Sequence, residues 1–102
     1  MSSAGLEQKL RQLEEATAAA QSVLLTKESE LSSALDALAK AKTKLRSLDP
    51  ESQRALQVND TELPELIGAE IIAREEYDTA KTRYETNQKY LSLFRDRVSR
   101  GT

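Results

Sequence analysis

The sequence contains no cysteine and no histidine. Thiol chemistry, disulfide cross-links, zinc centres built on Cys and His, and a histidine general base are therefore excluded. The absence of cysteine leaves the redox compartment open. Glycine occurs three times and proline twice, and the aromatic residues are three tyrosines and one phenylalanine. The chain thus lacks both the punctuation of a turn-rich fold and the β-branched and aromatic alternation of strands. No phosphate-cradling glycine loop, nucleophile elbow, HExxH or EF-hand pattern is present. Adjacent acids such as Glu14-Glu15 and Glu75-Glu76 project in divergent directions from a helix. An enzymatic role is not expected, and neither is a cofactor.

Long apolar runs are missing as well. No segment approaches the ~20 apolar residues that cross a bilayer, and MSSAGLEQKL lacks the apolar core of a signal peptide. We expect no membrane insertion and no secretion through a signal peptide, with the chain in the cytoplasm or within a soluble or viral assembly. Excess charge of one sign is also lacking. The net charge of -2 argues against a dedicated nucleic-acid binder, which shows a basic balance.

What remains is a chain of 102 residues, 38% apolar and 31% charged, dominated by strong helix formers. With Leu10 at heptad position a, the a series reads Leu10, Thr17, Leu24, Leu31, Leu38, Leu45. The d series reads Leu6, Leu13, Ala20, Lys27, Ala34, Ala41, Leu48. This narrow seam predicts a coiled-coil helix over about 4–48. Pro50 ends it, with Asp49 as N-cap of a short helix over about 50–56. Residues 57–61 read as loop, including the Asn59-Asp60-Thr61 tripeptide.

Asp60 or Thr61 caps a second helix over about 62–100, where Pro64 is tolerated in the first turn. Its a positions are Leu63, Glu70, Tyr77, Tyr84, Leu91 and Val98, and its d positions Leu66, Ala73, Ala80, Asn87 and Phe94. Gly68, inside this helix, suggests close approach of another helix. Two seams joined by a short connector give an all-α fold, a long antiparallel two-helix coiled-coil hairpin forming one domain over residues 1–102.

Charge blocks agree with that orientation. Residues 37–48 carry four basic side chains and no acid, whereas residues 62–78 carry six acids and one arginine. Heptad phase restricts the pairing to registers one heptad apart. The register placing Leu45 by Leu66 also pairs Glu28 with Lys81, Glu30 with Arg83 and Glu14 with Arg95. The register placing Leu38 by Leu66 opposes Glu30 to Glu76 and Lys9 to Arg97, and leaves the end of the first helix unpaired. The Leu45–Leu66 register is therefore the expected one, with charges choosing alignment more than adding stability, since exposed pairs contribute only ~0.2–1 kcal/mol each.

Several apolar residues fall outside the seam: Leu25 and Ile71 at b, Ile72 and Leu93 at c, Leu35 and Ile67 at e. They form the candidate partner-binding set, and the segment around Leu56 and Val58 is a candidate to fold back over part of it. Lys27, Glu70 and Asn87, polar within the seam, are read as selectors of partner and alignment. Tyr77 and Tyr84 share one heptad position and are assigned to packing rather than to nucleic-acid stacking. Within the basic run KAKTKLR, Lys42 and Lys44 flank the seam and answer the acidic start of the second helix. Lys40 and Arg46 point outward and, with Arg95, Arg97 and Arg100, are candidate anion contacts. The expected function is a structural or adaptor subunit of a homo- or hetero-oligomeric assembly such as a virion, tail or secretion apparatus. The alternatives are a small helical chaperone and, below it, a nucleic-acid accessory protein.

Overall fold

In the computed structural model, residues 3–59 and 62–100 are described, with side chains at 4–55 and 62–100. Three helices follow in order: α1, Ser3–Arg46, of 44 residues; α2, Pro50–Asn59, of 10; and α3, Glu62–Ser99, of 38. Helices α1 and α3 pack against each other as an antiparallel hairpin. Every a and d residue assigned from the heptads is buried or half-buried, while most flanking positions are exposed.

Helix α1 ends two residues short of the expected boundary, well within the variation usual at helix termini. Ser47 donates its amide to the Thr43 carbonyl at 3.1 Å, and Leu48 tightens the turn with a 3.2 Å bond to Leu45. The Asp49 carboxylate then accepts the Ser52 amide at 2.7 Å, the N-cap geometry expected ahead of Pro50. That backbone bond, assisted by the Ser52 hydroxyl, lowers the Asp49 pKa. Helix α2 runs on to Asn59 instead of stopping near 56, because no proline or glycine interrupts it before Pro64. The proposed caps Asp60 and Thr61 lie outside the described residues.

The hairpin divides into two compact units, Met1–Thr26 with Asp78–Thr102, and Lys27–Tyr77. We call them the terminal unit and the connector unit. In the terminal unit Thr17, Ala20, Ala80 and Leu91 are buried. Small residues here sit beneath larger partners, and burying Leu91 contributes about 1.5–3 kcal/mol. The Thr17 hydroxyl donates to the Leu13 carbonyl at 2.6 Å, so this buried polar group is satisfied within its own helix.

The connector unit holds no buried residue among those described. Its seam includes Glu70, whose carboxylate accepts from Arg74 Nε at 2.9 Å one turn along α3. Gly68 does not mark a close approach: a Cβ added there would meet nothing within 4 Å.

Candidate protein-contact surface

Lys27 sets the register. Its ammonium donates to Glu76 Oε2 at 3.0 Å across the hairpin and to Glu30 Oε2 at 3.2 Å on its own helix. The bond to Glu76, and secondarily that to Glu30, raises the Lys27 pKa. In the Leu38–Leu66 register Lys27 faces Tyr77, and Glu76 is its immediate neighbour. The Leu45–Leu66 register would put Glu76 eight residues from the level of Lys27, about 12 Å along the axis at ~1.5 Å per residue.

Within the terminal unit, Leu6 lines a shallow recess with Leu93, Phe94 and Arg97. Leu6 belongs opposite Val98 in the Leu38–Leu66 register, whereas the alternative shifts it about two turns past that residue. The expected register is therefore corrected by one heptad. The reason is physical: Glu30 and Glu76 repel only if nothing lies between them, and a seam lysine reaches both.

The candidate contact residues are all exposed: Leu25 58%, Leu35 41%, Ile67 39%, Ile71 49%, Ile72 58% and Leu93 57%. Ile71 and Ile72 stay open to solvent, and the side chains of Leu56 and Val58, the proposed cover, lie outside those described. The corrected register brings Leu35 and Ile67 to facing e positions of the connector unit, with Ile71 one turn beyond Ile67 on the same side. Ile72 falls on the opposite side of α3 and does not join them. Val23 and Tyr90 are also exposed, at 48% and 51%, although the Leu45–Leu66 register would set them against each other. Both occupy g positions, which are open wherever the facing side chain is offset, so their exposure depended on the register. Tyr77 and Tyr84 are half-buried as expected, and the Tyr84 hydroxyl accepts from Gln88 Nε2 at 2.8 Å.

The cationic candidates are divided between the two units, and Arg97 and Arg100 line the same recess of the terminal unit. The Lys40 ammonium pairs with Asp36 at 3.0 Å one turn earlier on α1, with both side chains exposed. Arg100 similarly pairs with Asp96 at 2.9 Å. Arg46 is exposed at the end of α1 in the connector unit, while in the terminal unit Arg95 and Arg97 are exposed on α3 and Arg100 is exposed one residue past its end. Among the described residues, no group of three or more acids is placed to hold a metal ion, and no helix is long and apolar enough to cross a membrane. Comparison with protein-family models, with curated proteins and with solved structures returns no match.

Proposed function

We propose that this chain is a non-enzymatic structural or adaptor subunit that works by packing its helices against a protein partner in a larger assembly. The carrying observation is the imbalance between a thin core and an apolar exterior. Among the described residues only Ala20, Ala80 and Leu91 form the buried apolar core, while Ile67, Ile71 and Ile72 stand exposed on the early turns of α3. Ile67 and Ile71 share one side of α3 and Ile72 lies on the other, and exposed apolar side chains carried on a helix surface in this way are the usual contents of a helix-packing interface.

The paired variant Ile71→Asp, Ile72→Asp tests this. Both positions are exposed, so helicity and thermal stability should hold while fixed-stoichiometry copurification with the native assembly is lost. A variant that keeps both its stability and its native partners overturns the reading.

A further inference from the structure

We propose that the partner of the connector unit is a second copy of this chain, paired by a two-fold axis that sets α1 antiparallel to α1 and α3 antiparallel to α3. This deepens the proposed contact role and rests on it. Glu28, Leu35 and Lys42 occupy three successive e positions of α1, seven residues apart, on one side of one compact unit. All three are exposed, and neither Glu28 nor Lys42 forms an ion pair with another described residue. The charge sequence is thus antisymmetric about an exposed leucine. A two-fold axis through Leu35 brings Leu35 against its own copy, Glu28 against Lys42 of the second chain, and Lys42 against Glu28 of the second chain.

The second helix of the unit fits the same operation. Ile67 lies at the level of Leu35 in the register that Lys27 and Glu76 establish, so it too meets its own copy, and Ile71 extends the apolar strip by one turn. An isologous contact requires a self-complementary surface, and an acid and a base at equal distances either side of an apolar centre satisfy that condition. The product is a four-helix layer whose core is supplied by residues that the single hairpin leaves in water.

Sedimentation equilibrium on the full chain should show a concentration-dependent species of twice the 11.4 kDa protomer mass. Lys42→Glu, which opposes Glu28 to a second acid at both symmetric contacts, should weaken the dimer on the order of tenfold or more. Glu28→Lys alone should weaken it similarly, and an equimolar mixture of the two single variants should recover affinity as a heterodimer. Leu35→Cys, in a chain free of other thiols, should give a covalent dimer on oxidation. A chain that stays monomeric into the millimolar range overturns the proposal. A dimer indifferent to Lys42→Glu, or one that mixing fails to restore, overturns it as well. Circular dichroism on each variant separates loss of pairing from loss of fold. A monomer that still copurifies with another protein in a ratio abolished by Ile71→Asp, Ile72→Asp overturns self-pairing while leaving the wider contact role standing.

Discussion

The terminal unit and the connector unit share one heptad grammar but stabilise themselves differently. In the terminal unit the seam is closed by size: Ala20 and Ala80 disappear beneath larger neighbours, and Leu91 is 7% exposed. In the connector unit no described residue is buried, and the seam includes a lysine held by two glutamates and a glutamate held by an arginine. Close packing yields much free energy but little discrimination between registers, because leucine and alanine recur every heptad. A charged group at d does the opposite, since solvated ion pairs add little yet reach only certain neighbours. One unit supplies cohesion and the other alignment, while both carry exposed apolar side chains, Leu25 and Leu93 in the first and Leu35, Ile67, Ile71 and Ile72 in the second.

The sharpest way to break this contrast is Leu91→Ala. Truncating a buried leucine should cost about 2–5 kcal/mol in urea denaturation, with amide exchange accelerating most in the terminal unit. An equal loss of protection in the connector unit would show that the two are not energetically distinct. A smaller effect is expected from Asp49→Ala, which removes the acceptor of the Ser52 amide and should lower the melting temperature by roughly a few degrees. In the unsubstituted chain the cap has a defined pH dependence. The Asp49 pKa is lowered on folding, so its contribution is present above the unfolded carboxylate value of about 3.9 and is lost as pH falls through the lower folded value. An acid melting curve unchanged by Asp49→Ala would contradict that assignment.

Gly68→Ala should act in the other direction. The added methyl meets open space and the helix loses a flexible residue, so stability should rise by about 0.5–1 kcal/mol in thermal or urea unfolding. A loss would restore the close approach that the structure denies. The smallest thermodynamic effect belongs to Lys27, whose pKa is raised on folding. Its contribution is present below the unfolded lysine value of about 10.4 and is lost as pH rises through the higher folded value. Its consequence is better read as alignment. The double variant Leu38→Cys, Leu66→Cys should close an intramolecular disulfide readily and the double variant Leu45→Cys, Leu66→Cys should not, and adding Lys27→Met should narrow that difference. Readier closure by the Leu45→Cys, Leu66→Cys variant with Lys27 intact would reinstate the rejected register.

Much of the architecture was legible in the residues themselves. The Leu10 and Leu63 series located both seams, Asp49-Pro50 located the corner with its cap, and the charge blocks gave the antiparallel sense. Leu25, Leu35, Ile67, Ile71, Ile72 and Leu93 were identifiable as surface residues because heptad phase alone puts them outside the seam. The alignment differs from the expected one because facing pairs of flanking charges leave no place for a seam lysine that bonds one acid on each helix. Lys40 points outward as expected and also pairs with Asp36, which lies one turn before the basic run.

Residue order alone was enough to establish two long helices, their ends to within a few residues, and the stripe of each that faces the other. Those properties depend on local propensity, caps and a repeat of seven. The shift of one helix along the other emerged only once the two were packed, and with it the placement of Leu35 and Ile67 side by side. A repeat of seven is unchanged by a slip of seven, so the choice passes to the few side chains that break the repeat, and to the distance over which Lys27 reaches Glu76.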